Sequence, residues 1–127
     1  MIDAPAGARA AGRFDLTGRT ALVTGASRGI GRAIAIGLAE AGADVVVHYQ
    51  NAAEAAKDCA RAIESAGRRA WIAAADFSRA GSGAALARQT LGMVPRLDIL
   101  VLNAGGGIRQ AFVDVARILS GCSPYRA

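Results

Sequence analysis

The chain has 127 residues, is 53% hydrophobic and 5% aromatic, and carries 15 basic against 10 acidic side chains for a net charge of +5. That is enough for one domain whose core is mostly Ala, Val, Ile and Leu, packed in thin α/β layers. The charge is nearly all arginine, scattered and with few aromatics between, which argues against a nucleic-acid face; Cys59 and Cys122 lack metal or redox spacing, and no apolar run reaches membrane length.

Residues 1–13 read as a flexible leader rich in Ala, Pro, Gly and Arg. They lack the apolar stretch of a signal peptide, so the expected location is cytoplasmic. A first strand is predicted over residues 20–24 and a first helix over residues 29–40. Between them runs Thr24-Gly25-Ala26-Ser27-Arg28-Gly29-Ile30-Gly31. A glycine-rich turn from strand to helix brings bare backbone N–H groups and a helix N-terminus up to a phosphate. Gly25 permits the tight turn, Gly29 lets a pyrophosphate approach, and Gly31 lets the helix pack on the strand. The spacing is Gly-x-x-x-Gly-x-Gly rather than the commoner Gly-x-Gly-x-x-Gly.

Gly42 is expected to end the first helix as a glycine cap. Gly37 inside it costs about 1 kcal/mol against Ala, and close packing on the sheet is the expected reason for it. Residues 44–48 form a second strand whose Val45-Val46-Val47 run fits coverage on both faces. His48, the lone histidine, reads as a filler at the strand end rather than a catalytic group. Asn51 with Glu54 resembles a capping box opening a second helix. Its apolar stripe is Ala52, Ala56, Cys59, Ala60 and Ile63, and Gly67 ends it. A third strand follows over residues 69–74, a third helix over residues 82–91 with Ala85, Leu86 and Leu91 inward, and a fourth strand over residues 97–102. Strands alternating with helices imply right-handed crossovers and a parallel sheet. A last helical period runs through Ile108, Ala111, Phe112, Val115, Ile118 and Leu119 before Gly121-Cys122-Ser123-Pro124 breaks it.

Three motifs in order resemble the short-chain dehydrogenase/reductase family: the Thr24-to-Gly31 turn, Asp76-Phe77-Ser78 after the third strand, and Leu97 to Gly105 with its Asn103-Ala104-Gly105 ending. Leu102 stands where the family usually has a second Asn. The resemblance spans about residues 14–107 and is nearest in flavour to the NADP-linked 3-oxoacyl reductases. It implies an α/β, Rossmann-like parallel sheet of order 3-2-1-4 with flanking helices, and a dinucleotide at the switch point between the first and fourth strands. It further implies that the backbone of Ser27, Arg28, Gly29, Ile30 and Gly31 holds the pyrophosphate. Asp76 and Phe77 would contact adenine, and Asn103, Ala104 and Gly105 would line the cofactor beside the ribose. At the end of the second strand, where a carboxylate would bond the ribose 2′-hydroxyl of NAD, stands Tyr49. With Arg28 nearby to fork onto a 2′-phosphate, NADP is favoured over NAD.

The family's carbonyl chemistry uses a tyrosine followed four residues later by a lysine. Here four residues past Tyr49 is Ala53, nothing follows Tyr125 at that distance, and the sole lysine is Lys57 on the second helix. No catalytic residue is therefore assigned. The expectation is an NAD(P)-binding part of a carbonyl reductase or alcohol dehydrogenase, truncated and inactive as given. The alternative is a small nucleotide sensor or a subunit completed by a partner. An uncovered fourth strand would also favour self-association through the sheet edge. No metal, nucleic-acid or membrane partner is expected.

Overall fold

The computed structural model describes residues 14–105. The expected leader, the period from Ile108 to Leu119, Cys122 and Tyr125 lie outside the described residues. In chain order the elements are β1 (Thr20–Val23), α1 (Gly29–Glu40), β2 (Asp44–Tyr49), α2 (Ala53–Ser65), β3 (Ala70–Ala74), α3 (Ser82–Met93) and β4 (Ile99–Val101). Every strand pair is parallel and the order is β3-β2-β1-β4, the Rossmann-like arrangement that the resemblance implied.

The valine triplet supplies both cores. Successive strand side chains point to opposite faces, and Val45, Val46 and Val47 are all fully buried. Val45 and Val47 join Val23 of β1, Ala35 and Ala39 of α1, and Ala56, Cys59 and Ile63 of α2. Val46 joins Leu22, Ala73, Leu86 of α3 and Val94 on the other face. Alanines at the helix contacts leave little side chain between helix and sheet. The Cys59 thiol is part of this packing, as its place in the stripe suggested. Burial raises its pKa, with Arg32 opposing.

Helix ends follow local chemistry. Gly42, at φ +112°, donates its N–H to the Ala39 carbonyl (3.0 Å), and Ala43 donates to Leu38 (3.0 Å). This Schellman pattern needs a left-handed residue, so glycine stops α1 here. Gly67 and Arg68 repeat the pattern on the Glu64 and Ile63 carbonyls.

The start of α2 differs from the expected capping box. Ala52, not Asn51, is the N-cap, and no side chain bonds there. The Ala53 N–H goes to the Asn51 main-chain carbonyl instead (3.1 Å). The helix therefore starts one residue later, and Glu54 pairs with Lys57 at 3.2 Å. In α3, Leu86 and Thr90 are buried while Ala85 and Leu91 are exposed. The buried stripe thus runs through a threonine, which the apolar pattern hid.

The two ends of the sheet carry different chemistry. At the strand N-termini, Asp98 accepts the Thr20 N–H at 3.0 Å beside Arg19 and Arg96. Asp44 accepts the Arg69 N–H at 2.9 Å and pairs with Arg68 at 3.0 Å. The Thr20 bond holds the Asp98 carboxyl below its ordinary range, with the arginines adding to it. β4 pairs only with β1 among the described residues, and Leu100 and Leu102 beside that edge are more than half exposed.

Gly37 does not face the sheet. It is exposed, and a Cβ built on it meets nothing within 4 Å. Packing therefore does not account for the glycine. Gly37→Ala is expected to stabilise the fold by about 0.5–1 kcal/mol in urea unfolding; a loss of stability would mean that this helix face is covered.

Candidate functional site

α1 and α2 cover one face of the sheet and α3 the other. The chain leaves β1 toward the first face and reaches β4 from the second. A crevice therefore opens between the C-terminal ends of β1 and β4, the usual ligand position in open α/β sheets.

The glycine turn is fixed from three sides. From β4, Thr24 is held through main chain and side chain. Its N–H donates to the Val101 carbonyl (3.0 Å) and its Oγ1 accepts the N–H groups of Asn103 and Ala104, both at 2.9 Å. The same hydroxyl donates to the Val101 carbonyl at 3.3 Å. Asn103 returns the contact by donating from Nδ2 to the Thr24 and Gly25 carbonyls, each at 3.2 Å.

From β2, His48 takes two consecutive N–H groups of the turn. Gly25 donates to its Nδ1 (2.9 Å) and Ala26 to its main-chain carbonyl (3.0 Å). Nε2 lies 2.9 Å from the Ala75 carbonyl oxygen. A carbonyl only accepts, so the ring proton sits on Nε2 and Nδ1 is the acceptor. Burial pushes the His48 pKa down, the Ala75 bond opposing, so the ring is held neutral. His48 is thus a hydrogen-bonded connector and more than a filler.

From α1 comes a steric constraint. A Cβ on Gly31 would run into the Gly25 carbonyl oxygen and come within 2.5 Å of Asn103 Nδ2. A Cβ on Gly25, at φ +64°, would lie 2.9 Å from the Ala104 Cα. Gly31 therefore admits the turn and Asn103 against the helix, a different neighbour from the strand expected.

The opposite side of the turn is open. Gly29, also at φ +64°, has nothing within 4 Å of a built Cβ, and Arg28, Gly29 and Ile30 are exposed. Arg28 is the α1 N-cap in an extended conformation, with no side-chain cap bond and no acidic residue in the first turn. The first N–H groups of a helix have no intrahelical partner and carry its positive partial charge. The geometry thus offers an uncapped helix start behind an exposed arginine, which suits an anion. Ser27 is buried just before it.

Tyr49 ends β2, half-buried against the α1 and α2 side and paired in register with Ala74. Phe77 stacks obliquely on His48, centroids 4.6 Å apart. Asp76 Oδ1 accepts from Ser78 Oγ (2.6 Å), Ser78 N–H (3.0 Å) and Gln50 Nε2 (3.1 Å), and Arg79 lies 3.7 Å from Oδ2. The Ser78 hydroxyl, then its N–H, hold the Asp76 pKa below normal, and Arg79 contributes. The structure thus joins Asn103 and Ala104 to the glycine turn directly, and Phe77 through His48. Thr24, His48 and Gln50 were absent from the expected site. Thr24 could have been found as the motif's leading residue; His48 and Gln50 carry no spacing signal.

Among the described residues no group of three or more His, Cys, Asp or Glu side chains could hold a metal, and no helix is long and apolar enough to cross a membrane.

A family model described as short chain dehydrogenase matches residues 19–118. The chain belongs to this family. The matched span continues past Gly107, where the resemblance was expected to end. An L-rhamnose 1-dehydrogenase (NAD(P)(+)) of Sphingomonas sp. is 39% identical over 100 residues, covering 79% of this chain and 39% of that protein. A 3-oxoacyl (acyl-carrier-protein) reductase from Agrobacterium tumefaciens, solved with NADP bound, superposes with a TM-score of 0.73 at 42% identity, over 85% of this chain and 41% of that one. The Pseudomonas aeruginosa RhlG/NADP complex gives 0.66 at 45% identity, over 73% and 37%. The chain therefore spans about two fifths of the length of these relatives.

Thr24 is the hinge of this site. Thr24→Val keeps the shape but strands the Asn103 and Ala104 N–H groups without their acceptor. A loss of about 1–3 kcal/mol is expected in urea unfolding; an unchanged midpoint would mean that water replaces the hydroxyl at no cost.

Proposed function

We propose that residues 14–107 are the dinucleotide-binding region of an NAD(P)-dependent oxidoreductase that interconverts a carbonyl and an alcohol, with NADP preferred. The observation that carries this is the uncapped α1 N-terminus behind Gly29, on a turn locked in place by Thr24, Asn103 and His48. The cofactor would supply hydride chemistry. The N–H groups of Ser27 to Gly31 would hold its pyrophosphate. Asp76, kept ionised by Ser78, would accept from the adenine amino group, and Phe77 would be a second adenine contact. Asn103, Ala104 and Gly105 would border the ribose, with the Asn103 amide already committed to the turn.

The NADP preference rests on two side chains. Tyr49 brings no negative charge to the end of β2, and Arg28 stands exposed at the helix start. Within these 127 residues no lysine follows a tyrosine at four positions, so proton transfer to the substrate requires residues outside them. A positioned general acid contributes roughly 10²–10⁴ in rate.

Calorimetric titration should show NADPH binding more tightly than NADH, and the 127-residue chain alone should show no carbonyl reduction. Arg28→Ala should weaken NADPH by roughly tenfold or more and leave NADH unchanged. Equal affinities in the parent chain would remove the Arg28 assignment, and turnover tracking the pure protein would require another acid.

The edge of β4 supports a second part of the reading, self-association of the isolated chain through that strand. Light scattering should find dimers or larger species that Leu100→Lys reduces. A concentration-independent monomer would refute this and favour a self-sufficient nucleotide module.

A further inference from the structure

We infer that His48 is a positioning residue for the glycine turn, and that protonation of its Nδ1 weakens dinucleotide binding in acid. The inference rests on the reading of this turn as a dinucleotide site.

His48 is 1% exposed, and each of its polar atoms is spent on structure. Nδ1 receives the Gly25 N–H, Nε2 donates to Ala75, and the main-chain carbonyl receives the Ala26 N–H. One residue thereby places two successive amides of the turn and ties them to the end of β3. A second proton on the ring would set an Nδ1–H against the Gly25 N–H across the present 2.9 Å contact. The ring cannot turn its other nitrogen to Gly25 without giving up Ala75, and Phe77 stands against it.

Among the described residues no carboxylate bonds the ring to offset that charge. The segments in contact with it are the glycine turn and the stretch after β3, which carry Arg28, Asp76 and Arg79. Arg28 is exposed, and the Asp76 carboxylate is engaged by Ser78, Gln50 and Arg79. On β2 itself Asp44 sits at the far end of the strand with Arg68.

The direction in pH follows from burial. The folded pKa lies below the ordinary histidine value of about 6.5. The turn-holding contact is therefore complete above about pH 6.5 and is lost as pH falls through the lower folded value. Below that value the competent fraction, and with it the affinity, drops about tenfold per pH unit.

The test uses the whole chain and NADP⁺, titrated calorimetrically from pH 8 to pH 5. His48→Asn offers an Oδ1 acceptor that does not ionise, and His48→Leu offers none. The parent affinity should be level above about pH 6.5 and then fall. The Asn variant should bind within about threefold at pH 8 and show only the titration of the ligand's own phosphate. The Leu variant should bind about tenfold more weakly at pH 8. Because His48 is the only histidine, its single imidazole signal can be titrated by NMR. Saturating NADP⁺ should lower its pKa, since linkage is reciprocal. This readout and the Asn variant decide the matter even if the Leu variant fails to fold. Parallel profiles for the parent and Asn proteins, or a His48 pKa unmoved by ligand, would overturn the His48 role while leaving the site intact. No binding at any pH would overturn both readings.

Discussion

The Thr24 hydroxyl and the Asn103 amide hold the two halves of the crevice together. Thr24 and Val101 lie 77 residues apart in sequence, and the register Val23↔Val101 aligns the ends of β1 and β4. Past the last paired residues the ladder stops, and side chains take over. Thr24 gathers the amides of Asn103 and Ala104, the second and third residues after β4, and Asn103 gathers the first two carbonyls after β1. The result is a reciprocal clasp in which four backbone groups that strand pairing would leave open all find partners. Gly31 allows it, because any side chain there would occupy the space of the clasp.

The sheet also separates its electrostatics. Carboxylates at the strand N-termini satisfy amides and neutralise arginines, so that end is closed off with charge pairs. The opposite end keeps a neutral buried imidazole, a glycine turn and an uncapped helix. Asp76 is the carboxylate of that rim, and Ser78 and Gln50 orient it. A dianionic ligand arriving there meets a helix start and Arg28 without a facing acid in the first turn.

Much of this was legible in the residues. The Val45-Val46-Val47 run announced a strand covered on both faces, and the glycines at 25, 29 and 31 announced the turn. The resemblance supplied the strand order. What escaped depends on torsions and on partners distant in sequence. Asn51 has the chemistry of a cap, but the chain entered α2 one residue later and left its side chain outside the capping position. Leu91 and Ala85 fit an apolar reading of α3, whereas the buried line passes through Thr90. Gly37 looked like a packing glycine because a helix interior is a poor place for one, and the structure gives no contact that explains it. His48 gave no motif at all, since its role comes from Gly25 and Ala75 meeting at the ends of three strands.

The clasp also ties the site to a weak part of the sheet. β2 is paired along both sides and lined by fully buried valines, whereas β4 has three residues and one paired side among the described residues. Strands of that kind open by local fluctuation at a lower free energy than the whole fold. Asn103 and Ala104 stand just past β4, after Leu102, so each such opening releases the Thr24 hydroxyl and the Gly25 carbonyl together. The crevice can then come apart while the valine core stays folded, and amide hydrogen exchange would reveal it as early exchange at Asn103 and Ala104 beside slow exchange in β2. A ligand that bridges the two strand ends would stabilise the clasp itself, slowing exchange there more than at the centre of the sheet.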